Sequence, residues 1–222
     1  MIQHLIFDCD GVIVDSEILA SEITVHMLQP MGYESTALEH ARRFAGLKET
    51  VILDRLRQED GLDIPTDFLE TVGSTFAQRF ATDLKPIKGM PELIRKVQLP
   101  KSVVSNSTCA GVISSTTRAG VRDYFGNRIY CAEMVPQPKP APDVYLLAAD
   151  QIGIDSQDLL VIEDSPTGVE AAATAGLKVI GFAGAGHISA GHDERLRSVG
   201  ALDVARDAQH LQKMLQALGV GF

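Results

Sequence analysis

Cysteine is scarce in this chain and badly spaced for cross-linking: Cys9, Cys109 and Cys131 are scattered, odd in number and form no CxxC. That excludes a disulfide framework and a zinc knuckle, and each cysteine reads as a small apolar filler. Basic residues are outnumbered, 20 Lys and Arg against 29 Asp and Glu, for a net charge of −9. With no cationic stripe to neutralise a nucleic-acid backbone, nucleic-acid partners are not expected. No stretch approaches the ~18 consecutive apolar residues that a spanning helix needs, so no membrane association is expected. The opening MIQHLIFDCDG also lacks a charged segment ahead of a signal-length apolar run, which makes the cytoplasm the expected location. Repeats and low-complexity segments are absent too. The six histidines are spread along the chain, and although His187 and His192 share a loop, no second pair stands at ligand spacing, so no histidine metal site is expected.

What is present fits a globular α/β protein. At 222 residues and 45% hydrophobic composition the chain can bury a real core, hiding roughly 70% of its unfolded surface. A short apolar strand over His4 to Asp8 ends in the acidic turn DCDG. From Ser16 the apolar residues recur at helical spacing instead, and residues 17–84 read as about four helices with breaks near Gly32, Gly46 and Gly61–Pro65. Within that block Phe68, Phe76 and Phe80 are expected to pack its interior, and Arg42-Arg43 to lie on a solvated face. After Pro86, short apolar runs alternate with helical stretches, the pattern of βαβ units. The expected strands are Ser102–Ser105, Ile129–Cys131, Leu159–Ile162, Val179–Phe182 and Leu202–Val204. Ser165, Pro166 and Gly176 bracket one helix as N-cap, first-turn proline and C-terminal glycine. The expected architecture is therefore a doubly wound, mainly parallel sheet core of residues 1–16 and 85–222, with a helical domain of residues 17–84 inserted after the first strand. Gly181, Gly184 and Gly186 do not make a dinucleotide loop, because Ser189 stands where the last glycine of GxGxxG belongs.

In an open parallel sheet, ligands bind beyond the carboxyl ends of the strands. There the sequence carries Asp8 and Asp10, then Ser105-Asn106-Ser107, then Glu163-Asp164, with Lys139 in the loop PQPKPAP. If these strands are neighbours, the pocket suits a hard cation and a phosphoryl group. Asp8 and Asp164, with the Asp10 carbonyl, could hold Mg²⁺, while Ser105, Lys139 and the backbone of the Ser105-Asn106-Ser107 loop bind phosphate oxygens. Asp8 is then a feasible nucleophile toward phosphorus, and Asp10 a feasible acid and base.

The segments DCDGVIVDSE, SNS, PKPAPD and VIEDSPTGVEAAATAG together resemble the four ordered motifs of the haloacid dehalogenase superfamily, in its β-phosphoglucomutase-like branch with a helical cap. The resemblance implies Asp8 as nucleophile, Asp10 as general acid and base, and Ser105 and Lys139 as phosphate ligands. It implies Asp8, Asp164 and the Asp10 carbonyl as magnesium ligands, with Glu163 acting through bound water. It further implies a cap, residues 17–84, that opens and closes over the site, with Gly46, Leu47 and Lys48 in its substrate-facing loop. The expected activity is hydrolysis of a small phosphate ester, a sugar phosphate or phosphorylated sugar acid, by a monomer or weak homodimer. A phosphomutase is the rival of the same chemistry, but the mutases of this branch carry a histidine ten residues after the second aspartate, where this chain has Ala20. A phosphoacceptor signalling module is the rival from another class, disfavoured by the inserted helices and the Asp-x-Asp spacing.

Overall fold

The computed structural model describes residues 1–44, 47, 49–188 and 190–222. Short segments with apolar centres and no regular polar alternation form the strands β1 (His4–Phe7), β2 (Lys101–Ser105), β3 (Ile129–Cys131), β4 (Leu159–Glu163), β5 (Lys178–Phe182) and β6 (Asp203–Ala205). Lack of alternation is what a sheet covered on both faces requires, and every residue of β1, β2, β3 and β4 is buried. The order is β3-β2-β1-β4-β5-β6 and every pairing is parallel. The last strand begins one residue later than the sequence suggests. Leu202 still donates its N–H to the Val179 carbonyl at 2.9 Å, but its side chain is 67% exposed.

Two compact units make up the chain, residues Met1–Asp15 with Lys85–Phe222, and Ser16–Leu84. The second contains α1 (Ser16–Leu28), α2 (Ala37–Phe44), α3 (Glu49–Glu59) and α4 (Phe68–Asp83). Its interior is built from Val25, Leu28, Phe44, Leu53, Leu56, Phe68 and Val72, against which Phe76 and Leu47 pack partly buried. Arg43 is not simply solvated, since its guanidinium pairs with Glu59 and Asp60 at 3.0 and 2.7 Å. Gly46 and Lys48 lie outside the described residues.

Around the sheet of the first unit run α5 (Met90–Lys96), α6 (Cys109–Arg118), α7 (Asp143–Ile152), α8 (Pro166–Thr174), α9 (His192–Ser198) and α10 (Ala208–Ala217). Ser165 caps α8 as expected, its hydroxyl accepting from Gly168 N at 3.0 Å, and Gly176 follows the helix at φ +77°. Cys9 and Cys131 are buried free thiols. Among the described residues no helix is long and apolar enough to cross a membrane.

Buried histidines tie this core to pH, His4 among them. His4, the buried first residue of β1 and 3.1 Å from Ser102 Oγ, is pushed down to about 4 by burial, with Arg128 and Lys101 adding to the effect. The unfolded chain takes up a proton near pH 6.5 that the folded chain refuses until about pH 4. Stability therefore falls as pH drops through that window, by about 1.4 kcal/mol per pH unit from this residue. Denaturant melts at pH 7, 6 and 5 are expected to show the loss, and His4→Gln to flatten it by one proton; an unchanged slope in that variant would acquit His4.

Candidate active site

Because β1 lies between β2 and β4, the ends of three neighbouring strands deliver Asp8, Ser105 and Glu163 to one place. Lys139 reaches into the same place from the loop before α7. Its ammonium donates to Asp8 Oδ1 at 2.6 Å, Glu163 Oε2 at 2.8 Å and the Val104 carbonyl at 3.1 Å, which uses all three of its protons. The ammonium also lies 4.9 Å from the centre of the Tyr145 ring, whose hydroxyl donates to Glu163 Oε2 at 2.9 Å. Glu163 Oε1 is occupied as well, accepting from Asp164 N, Ser165 N and Ser165 Oγ at 3.1, 3.0 and 2.9 Å. Glu163 is thus a fully hydrogen-bonded anchor for the lysine.

The electrostatics follow from this packing. Burial and the adjacent Glu163 carboxylate push Asp8 well above the usual carboxylate range, against the pull of Lys139. Burial also opposes charge on Lys139, but Asp8 and Glu163 outweigh it and hold the ammonium well above its ordinary value. For Glu163 the desolvation is overcome by Lys139 and its other donors, so its carboxyl sits below the ordinary value. Burial and Glu163 raise Tyr145, which keeps its hydroxyl a donor.

Asp10 and the loop after β2 form the other wall. Ser107 Oγ donates to Asp10 Oδ2 at 2.7 Å, Ser105 Oγ approaches the same oxygen at 3.4 Å, and Ser105 Oγ also accepts from Ser107 N at 3.0 Å. A hydroxyl can donate to an ionised carboxylate or turn and accept from a protonated one, so Ser107 can serve Asp10 in either state. Asn106 spends its side chain on the lysine loop: its Nδ2 donates to the Lys139 carbonyl at 3.1 Å and its Oδ1 accepts from Lys139 N at 2.9 Å.

Two glycines are required by close approach. Gly11, at φ +78°, passes so near Asp164 that a Cβ there would run into its carboxylate, and a Cβ on Gly168 would run into that of Glu163. Gly168→Ala is therefore expected to displace the Glu163 anchor, costing about 1–3 kcal/mol by overpacking and lowering turnover at least tenfold. Thermal melts of the variant check the first effect and a turnover assay the second.

Residues 5–182 match the family of haloacid dehalogenase-like hydrolases. The chain belongs to this family. Over 182 residues it is 29% identical to the 6-phosphogluconate phosphatase of Escherichia coli K12, covering 82% of each chain. A haloacid dehalogenase-like protein of unknown function from Agrobacterium tumefaciens superposes with a TM-score of 0.90 at 33% identity, over 99% of this chain and 100% of that one. A hydrolase of the same family from Deinococcus radiodurans, solved with bound phosphate and sodium, gives 0.88 at 29% identity, over 98% and 96%.

In this member of the haloacid dehalogenase-like hydrolases the donor set fits a divalent cation. Carboxylate oxygens of Asp8, Glu163 and Asp164, all buried, lie within 4.8 Å of one another. They are hard oxygen donors, the type magnesium takes. One lysine stands against four carboxylates here, counting Asp10, and the Asp8 carboxyl is elevated by burial first and by the neighbouring Glu163 next. Both oxygens of Glu163 are already engaged in hydrogen bonds, Oε2 with Lys139 and Tyr145 and Oε1 with Asp164 N, Ser165 N and Ser165 Oγ.

Four contributors escape a reading of the sequence. Tyr145 and Gly168 lie on helices at positions indistinguishable from core packing. Ser107 is expected from the sequence only as loop backbone, whereas its hydroxyl serves Asp10, and the cap of the helix that follows is Thr108, accepting from Gly111 N at 3.1 Å. His192 reaches Asp164 through a backbone carbonyl, which leaves no spacing pattern to find.

Proposed function

We propose that this hydrolase is a magnesium-dependent phosphatase that cleaves a small phosphate monoester, a sugar phosphate or phosphorylated sugar acid, by way of a phosphoryl group carried on Asp8. The observation that carries this reading is the Lys139 ammonium bridging Asp8 and Glu163, with Asp10 two residues beyond Asp8. The name of the Escherichia coli relative supports the sugar-acid class, and the phosphate in the Deinococcus neighbour supports a phosphate pocket.

In the first displacement an Asp8 carboxylate oxygen attacks phosphorus, the ester P–O bond breaks, and Asp10 gives its proton to the departing oxygen. In the second, the now ionised Asp10 takes a proton from water, the water oxygen attacks phosphorus, and the P–O bond to Asp8 breaks to release inorganic phosphate. Lys139 holds Asp8 in line and favours its ionised form against the opposing effect of burial, and Ser105 with the backbone N–H groups of its loop binds the phosphate oxygens. Asp8 and Asp164, with the Asp10 carbonyl, would hold magnesium, which would offset the repulsion between nucleophile and substrate, while Glu163 serves as the anchor of Lys139. Ala20, where the mutases of this branch carry histidine, favours release of phosphate over its return to a second sugar hydroxyl.

A panel of metabolite phosphates, with phosphate release followed in Mg²⁺, tests the reading. Turnover of at least one sugar or sugar-acid phosphate is expected, lost on chelation and restored by Mg²⁺; turnover that survives exhaustive chelation would refute the metal requirement. Asp10→Asn is expected to slow hydrolysis of an alkyl phosphate by about 10²–10⁴-fold. Its effect on leaving-group departure should be smaller with p-nitrophenyl phosphate, whose leaving group needs no proton. Equal losses in the first step for both esters would remove Asp10 as the acid. Choice among esters is assigned to the helical unit, and Lys48→Ala is expected to reorder kcat/KM across the panel while sparing p-nitrophenyl phosphate.

A further inference from the structure

We propose that His192, set by Arg195, is a positioning residue for Asp164 and thereby tunes the affinity for the divalent cation. This rests on the metal site of the preceding section. His192 Nε2 lies 2.6 Å from the backbone carbonyl oxygen of Asp164, and Arg195 Nη2 lies 3.3 Å from His192 Nδ1. A carbonyl oxygen only accepts, so Nε2 carries the hydrogen; a guanidinium only donates, so Nδ1 offers its lone pair. A single neutral tautomer satisfies both contacts: the Asp164 carbonyl requires the hydrogen on Nε2, and Arg195 keeps Nδ1 as the acceptor.

The consequence falls on the peptide joining Asp164 to Ser165. Its carbonyl is held by His192, and its N–H donates to Glu163 Oε1 at 3.0 Å. A peptide unit is planar, so bonds on its two opposite edges fix its orientation about the Asp164 backbone and, with it, the direction in which the carboxylate leaves. The side chain is further confined by the backbone of Gly11, which leaves no room for a Cβ beside it. A second imidazole of the same loop borders the same residue, His187 Nε2 standing 4.0 Å from Asp164 Oδ2. The two histidines thus converge on one residue, His192 at its backbone carbonyl and His187 beside its carboxylate.

Partners of this kind typically govern metal affinity by about 10–100-fold. Calorimetric titration of Mg²⁺ into the substrate-free protein is expected to give His192→Leu a dissociation constant raised by about that factor. At saturating Mg²⁺ its kcat should stay near that of the parent, a split that general loss of structure would not produce. His192→Gln, whose amide nitrogen can replace Nε2 as donor, should recover most of the affinity. Arg195→Met, at an exposed position, should weaken binding several-fold by freeing the wrong tautomer. Asp164→Asn separates this inference from the reading beneath it. If Asp164→Asn binds Mg²⁺ like the parent, the metal site itself is misassigned. If Asp164→Asn loses binding while His192→Leu and Arg195→Met keep the parent constant, the metal site stands and the positioning role falls. Should His192→Leu not fold, Arg195→Met alone decides, and an unchanged constant there overturns the proposal.

Discussion

Asp8→Asn is expected to reduce phosphate release by at least about 10⁴-fold, the scale on which loss of a nucleophile removes a covalent route. The amide has nearly the volume of the carboxylate but no anionic oxygen to attack phosphorus. The fold should survive, because Asp8 is a charge whose burial the structure opposes, as its raised carboxyl shows. A neutral amide relieves that opposition, so in magnesium-free buffer the melting temperature is expected to equal or exceed that of the parent. Acid quench during turnover, followed by mass mapping, should find the phosphoryl group on the peptide containing Asp8 in the parent and on no peptide in the variant. Substantial turnover by Asp8→Asn, or phosphorylation of another residue, would show the nucleophile to be wrongly assigned.

Lys139→Met is expected to damage stability and activity together. The ammonium is the shared partner of Asp8 and Glu163, each buried, and its removal leaves two carboxylates facing each other without a cation. Breaking a buried pair from one side costs about 3–5 kcal/mol, because the remaining charge is uncompensated. Activity should fall by more than about 10³-fold, since Asp8 then takes up a proton more readily and the phosphate oxygens lose electrostatic stabilisation. Lys139→Arg is not expected to rescue it, because a planar guanidinium cannot direct donors to Asp8, Glu163 and the Val104 carbonyl from the space of one nitrogen. Mg²⁺ should recover part of the lost stability by pairing with the orphaned carboxylates. A variant that melts like the parent and keeps its turnover would mean that the bridge is incidental.

The strand-end acids were legible in the sequence for a physical reason. Apolar runs that stop abruptly at Asp8 and at Glu163 mark where a buried parallel strand meets its open end, and charge at that point needs a partner. Neighbourhood was not legible: that β1 lies between β2 and β4 follows from pairing across more than ninety residues, which short-range pattern does not encode. The roles of Asn106 and His192 were hidden because both act on backbone groups, Asn106 on the peptide of Lys139 and His192 on the carbonyl of Asp164. Tyr145 was hidden because its ring satisfies the apolar pattern of α7 while its hydroxyl does the polar work. The last strand was legible but its start was displaced by one residue, since Leu202 keeps its backbone bond while its side chain faces solvent.

The stereochemical course at phosphorus tests the central claim most directly. A substrate whose thiophosphoryl group is made chiral with two oxygen isotopes, hydrolysed in water carrying the third, yields a product of readable configuration. Each in-line displacement inverts phosphorus, so transfer to Asp8 followed by transfer to water predicts net retention. Net inversion would mean that water attacks the ester in a single step and that Asp8 never carries the phosphoryl group.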